Sequence, residues 1–188
     1  MAKRVFEKGS PLRFVVTFLT LFLLFYYFNI FFFGITSPGN HYSDFLARHL
    51  NYIQALRTFL LASTKTVLSW FGFTSIYNNT EILVMGKGRL ILIYSCLGLG
   101  LMSFFSAFVI AYPQKLKSKL LFLICGIAVI QVLNILRFVL LAAFWKQRQG
   151  LILDHHAIFN IIIYVIIGLS LYIWVKSAER TSAGHAEN

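Results

Sequence analysis

Long apolar runs separated by short polar stretches set the plan of this chain. Phe14 to Phe33 is the first run and holds no charged residue. A helix rises about 1.5 Å per residue, so a run of this length crosses the ~30 Å hydrocarbon layer of a bilayer. A basic start before an apolar stretch is also the pattern of a secretory signal. This run is longer than a signal's apolar core, and no small-residue cleavage site follows it, so it reads as a retained helix. Gly34 to Asn51 is polar and broken, with Pro38, Gly39 and Asn40 as turn formers. Tyr52 to Phe73 is apolar but carries Gln54, Arg57 and Lys65, three costly groups for a lipid-buried span. Between Thr74 and Arg89, short β-forming stretches punctuated by Asn78, Asn79, Thr80, Gly86 and Gly88 predict a hairpin. Asn78-Asn79-Thr80 also fits the glycosylation acceptor pattern, a match common by chance. Leu90 to Tyr112 is the next apolar run, closed by Pro113 and a connector with Lys115, Lys117 and Lys119. Leu120 to Trp145 is apolar apart from Gln131, Asn134 and Arg137. Lys146 to Asp154 is polar, and Ala157 to Val175 is the last run.

Composition sharpens this plan. Hydrophobic residues make up 59% of the chain and charged residues 12%, against about 25% charged in a soluble domain. The formal net charge is +11. The basic residues flank the apolar runs, as Lys3, Arg4, Lys8 and Arg13 do, and form no stripe of their own. That distribution is a positive-inside signal and not a nucleic-acid surface. With Lys115, Lys117 and Lys119 in the cytoplasm, 90–112 travels inward, 120–145 outward, and 157–175 inward again to Lys176 and Arg180. Positions 34 and 90 then share the outer side. Zero crossings between them is simplest, which lays 52–73 on the outer interface with Arg57 and Lys65 reaching for water. The expected protein is an all-α integral membrane protein, one membrane domain over 1–188. It has four transmembrane helices at 14–33, 90–112, 120–145 and 157–175, an interfacial helix at 52–73 and a short extracytoplasmic hairpin.

The chemistry-bearing residues can be placed by depth. An Arg inside a spanning helix costs at least ~2.5–3.5 kcal/mol at the bilayer centre. Arg137 stands about 27 Å along the helix from Lys119, near the outer border, with Asn134 and Gln131 on the same face at three-residue steps. By spacing alone, Arg137 is equally a snorkelling side chain above a polar packing stripe. Cys96 stands about 24 Å from Tyr112 and so at a similar depth. Alone, Cys96 reads as a buried thiol; beside a cation, a cysteine is nucleophilic as its thiolate, and the same cation can hold an oxyanion. Cys125 is only about 9 Å from Lys119, on the inner side, and reads as a small hydrophobe. A disulfide with Cys96 is therefore not expected. His155 and His156 open the last run on the outer side. Interfacial histidines are most often simply solvated, but a histidine here is also the natural proton carrier. Adjacent histidines with Asp154 alone make no metal site, and no cofactor is indicated. Nucleophile, cation and proton carrier thus fall on three segments at one border, the set that cysteine-based acyl transfer needs.

These residues resemble the exosortase/archaeosortase family of membrane enzymes. Ser95-Cys96-Leu97-Gly98 matches the family's Cys-x-Gly at the outer start of a span, and Asn134-Ile135-Leu136-Arg137 its Asn-x-x-Arg in the next. His156-Ala157-Ile158-Phe159-Asn160 is similar to the histidine that opens the following span. The hairpin with Asn79 and Gly86 resembles the family's extracytoplasmic segment, and the likeness covers roughly 52–175. Leu97 stands where many members have Ser, Asn160 replaces the common Gly, and the spans are fewer than in the larger exosortases. The resemblance implies catalytic roles for Cys96, Arg137 and His156, with Asn134, Gly98 and His155 in support. His156 is preferred over His155 because it alone has the motif spacing to Phe159 and Asn160. The implied activity is that of a cysteine transpeptidase or protease at the outer face of the bacterial inner membrane. The implied partners are secreted proteins with a C-terminal sorting signal, made of a short motif, an apolar helix and a basic end. The main rival is a non-enzymatic assembly or transport subunit whose Arg137 binds lipid phosphate. A glycan or acyl transferase acting on lipid-linked substrates would need more acidic groups at the interface than Asp44, Glu81 and Asp154 supply. Sequence alone leaves the acceptor nucleophile and the oligomeric state open.

Overall fold

Helices dominate the computed structural model, which describes the backbone over residues 11–37, 43–144 and 152–183, and side chains over 11–37, 43–143 and 160–177. Among the described residues, three helices are long and apolar enough to cross a membrane, and the chain is an all-α integral membrane protein. The first, α1, spans Pro11–Thr36. It is apolar on every side, as a helix is when lipid surrounds it. Phe14, Phe18 and Phe22 recur at four-residue steps and so share one face. That face meets Phe104, Phe108 and Tyr112, on and just after the shorter helix that follows Cys96. The Phe14–Phe108 and Phe18–Phe104 rings meet edge to face at 5.3 Å between centroids, the arrangement that ring quadrupoles favour.

The broken stretch after α1 contains an element the sequence pattern did not predict, the short helix α2, Asp44–His49. Its exposed Arg48–Asp44 pair at 2.8 Å contributes little, because water screens it. The next helix, α3, Tyr52–Trp70, starts at Asn51, whose side chain accepts from the Gln54 amide and so caps a free N–H. α3 is amphipathic, with Ile53, Leu60, Leu61, Thr64 and Leu68 buried on one face.

The expected hairpin is a three-stranded meander. Strands β1 (Ser75–Tyr77), β2 (Glu81–Val84) and β3 (Gly88–Ile91) lie in the order β1-β2-β3, antiparallel throughout. Asn78 explains the first turn: its Oδ1 accepts from the amides of Thr80 and Glu81, both at 2.9 Å, the Asx geometry that makes Asn a turn former. Alternation buries Ile82, Val84 and Leu90 while Ile76, Leu83 and Ile91 face outward. The buried side packs with Leu60, Leu61 and Leu68 of α3, and with Leu97 and Phe138, into one core.

The run at 90–112 departs most from expectation. Its first residues belong to β3, Tyr94–Leu97 form a 3-10 turn, and only Leu99–Ala111 is α-helical, here α4. The physical reason is Gly98, at φ +74°, a left-handed conformation that glycine adopts without penalty and that breaks helical continuity. At about 20 Å, α4 is too short to cross the hydrocarbon layer by itself. α5, Leu116–Phe144, returns antiparallel to it. Lys119 Nζ donates to the Ile110 carbonyl at the end of α4 at 2.8 Å, where a cation suits the helix C-terminus. A Cβ at Gly126 would overlap the Phe105 ring, so this glycine admits the ring between the two helices. These elements make up the unit Met1–Gln147. The second unit, Arg148–Asn188, consists in its described part of α6, Ile152–Ala183, longer at both ends than the apolar run 157–175.

Candidate active site

The 3-10 turn after β3 carries Cys96. Two features shape it. The Cys96 amide donates to the Ile93 carbonyl at 3.0 Å, closing the turn, and Gly98 then redirects the chain into α4. The depth estimate assumed unbroken helix from Tyr112, and the turn replaces its upper part. Even so, the turn delivers the thiol to the neighbour that the depth argument proposed: Arg137 Nη2 on α5 donates to Cys96 Sγ at 3.8 Å. Both side chains are buried, Cys96 at 8% exposure and Arg137 at 6%. An Arg that snorkelled would show its guanidinium at the surface. Arg137 instead turns inward to the thiol.

The stripe predicted on α5 is present and buried. Gln131 and Asn134 lie at 8% and 3% exposure. Asn134 Nδ2 donates to Gln131 Oε1 at 3.5 Å, and Gln131 Nε2 donates to Met102 Sδ at 2.9 Å. Gly98 is fitted against this stripe, for a Cβ there would stand 2.6 Å from Asn134 Nδ2. The turn that holds the thiol and the helix that holds the guanidinium therefore interlock through Gly98 and Asn134. Met102 is a partner that sequence reasoning missed, since a thioether inside an apolar helix gives no signal of its own.

A second polar network was also missed. Asn29 of α1 donates to Phe25 O at 2.8 Å and to Ser103 Oγ at 3.1 Å. Tyr52 OH donates to Asn29 Oδ1 at 2.6 Å, and Ser103 Oγ donates back to Leu99 O at 2.8 Å. Burial, with Tyr94 adding to it, holds the Tyr52 phenol above its ordinary pKa, so it is a proton donor to Asn29. This network ties α1, α3 and α4 together one helical turn beyond the Cys96 turn. A lone Asn in an otherwise apolar span was the available signal.

The side chains of His155 and His156 lie outside the described residues; their backbone belongs to the first turns of α6. Cys125 is exposed, and both cysteines are free thiols. Among the described residues, no group of three or more His, Cys, Asp or Glu side chains could hold a metal ion.

A buried thiol with a guanidinium at hydrogen-bond range is equipped to carry negative charge on sulfur and on a developing oxyanion. A family model described as transmembrane exosortase matches residues 14–175. No curated protein matches the chain, and no solved structure does.

Proposed function

The chain belongs to the transmembrane exosortase family, and on that premise we propose that it is a cysteine transpeptidase or protease. Its substrates are secreted proteins with a C-terminal sorting signal, processed at the extracytoplasmic face of the bacterial inner membrane. The observation that carries this reading is the 3.8 Å approach of Arg137 Nη2 to Cys96 Sγ in a buried site. Sγ attacks the scissile carbonyl carbon as the thiolate, and the guanidinium stabilises first the sulfur charge and then the oxyanion. The C–N bond breaks as a proton passes from His156 to the leaving amine, and the acyl group remains on Cys96 as a thioester. An incoming amine or water loses its proton to His156 and attacks the thioester, releasing the thiolate. Asn134 orients Arg137, and Gly98 lets the turn close onto Asn134. The role of His156 rests on the motif spacing in the sequence. The rival reading, a subunit that binds lipid phosphate through Arg137, loses support from the inward burial of that side chain.

The test follows cleavage of a signal-bearing secreted reporter in membranes carrying wild-type protein, Cys96→Ala or Arg137→Ala. Both variants should accumulate uncleaved reporter. Cleavage at the wild-type rate by Cys96→Ala removes the assignment. A second readout needs no substrate: iodoacetamide should alkylate Cys96 much faster in wild type than in Arg137→Ala, because the thiolate is the reacting species.

A further inference from the structure

β3 is an edge strand that runs into the nucleophile. Among the described residues it pairs with β2 alone, and no strand lies on its other side. The hydrogen-bond phase is fixed by Leu92, whose amide donates to Thr80 O at 2.8 Å. In an antiparallel ladder the inward-bonding residues alternate, so Gly88, Leu90 and Leu92 bond toward β2. Arg89 and Ile91 turn their N–H and C=O groups to the free edge, and Ile93 turns its N–H the same way. The Ile93 carbonyl is already taken by the Cys96 amide at 3.0 Å. An open edge of this kind is a template for another extended chain. A short strand bearing an Arg is also a common way to keep such an edge from aggregating. What sets β3 apart is continuity: Ile91 leads through Leu92 and Ile93 into the turn that presents Sγ. Charge adds a second mark. Arg89 is exposed, and among the described residues it has no carboxylate partner, the one ion pair being Arg48–Asp44.

We propose that the free edge of β3 binds the substrate polypeptide as an added strand. Its main chain pairs with Arg89 and Ile91, a carboxylate side chain sits on Arg89, and the scissile bond is led toward Cys96. The proposal rests on Cys96 as the nucleophile and adds to that reading how the peptide is held. Main-chain pairing supplies affinity with little regard to sequence, while Arg89 selects for an acidic position.

The test uses the purified full chain in lipid nanodiscs and a hexapeptide alternating valine and glutamate. At millimolar concentration the peptide should slow amide hydrogen exchange at Arg89 and Ile91 by about tenfold or more, and leave Leu90 and Leu92, already bonded to β2, unchanged. Two N-methylated peptides sharpen the readout, one blocked at the valine amides and one at the glutamate amides. Only one of them should lose binding, because alternate amides of an added strand face β3. Ile91→Pro deletes an edge N–H and no ladder bond; it should abolish protection while Cys96 alkylation stays at the wild-type rate. Arg89→Ala should weaken binding several-fold. Cys96→Ala should bind the peptide as wild type does while losing reporter cleavage, which separates this inference from the catalytic one. Unchanged exchange at Arg89 and Ile91 up to millimolar peptide, or equal binding of both N-methylated peptides, overturns the added-strand proposal and leaves the Cys96 chemistry standing.

Discussion

Asn29 and Asn134 are the same residue type inside apolar helices, and their surroundings set them to different tasks. Asn29 is saturated: its amide gives two hydrogen bonds, to Phe25 O and Ser103 Oγ, and its carbonyl receives the Tyr52 hydroxyl at 2.6 Å. Among the described residues, Asn134 has one long side-chain bond, 3.5 Å to Gln131, and lies where a Cβ on Gly98 would stand. A polar side chain engaged on both its donor and acceptor sides ties neighbouring elements together. Asn134 instead lies three residues before Arg137, the buried cation that faces the Cys96 thiol. The α1–α4 contact with its phenylalanine ladder is thus a support, and the α5 stripe facing the Cys96 turn is the proposed working face.

Mutations on the two sides should separate accordingly. The largest effect is expected for Cys96→Ala, which removes the proposed nucleophile and should abolish cleavage of a signal-bearing reporter with the protein still folded. Arg137→Ala follows, with a loss of about 10²–10³-fold in cleavage rate if it holds the oxyanion. Arg137→Lys should recover only part of that loss, since an ammonium lacks the guanidinium's forked donors. Gly98→Ala comes next. It combines a strained positive φ with a Cβ pressed on Asn134, and should cost about 1–3 kcal/mol in denaturation experiments while slowing cleavage. Gly98→Ala with Asn134→Ala should regain the steric part of the stability, a coupling that a double-mutant cycle measures. The smallest effect is expected for Asn29→Ala, about 0.6–1.7 kcal/mol of stability with the iodoacetamide rate at Cys96 unmoved. If Asn29→Ala instead stops cleavage in a stably folded protein, the division between support and working face is wrong.

Some of this was open to reading along the chain, and some was not. The membrane class, the apolar helices and the Cys96–Arg137 pairing were legible because hydropathy and helical rise are properties of the chain in order. A charge inside an apolar run also demands a partner. The unbroken helix expected at 90–112 failed at Gly98, whose left-handed backbone has no mark in an apolar sequence beyond the glycine itself. The third strand was missed because Gly88–Ile91 is continuous in hydropathy with the span behind it. Met102 and Asn29 escaped because a single weakly polar side chain means little until its partner is in view.

By itself, then, the sequence determined that this chain lives in a membrane, which segments are apolar enough to enter it, and which residue types are available for acyl transfer. Those are consequences of composition and of local periodicity, and they need no knowledge of distant neighbours. Only the tertiary structure decided that the thiol sits on a 3-10 turn, that the guanidinium turns inward to it, and that an open strand edge runs up to it. Each of these depends on contacts between residues far apart in the chain, Cys96 with Arg137 and Gly98 with Asn134, whose geometry arises when helices and sheet pack.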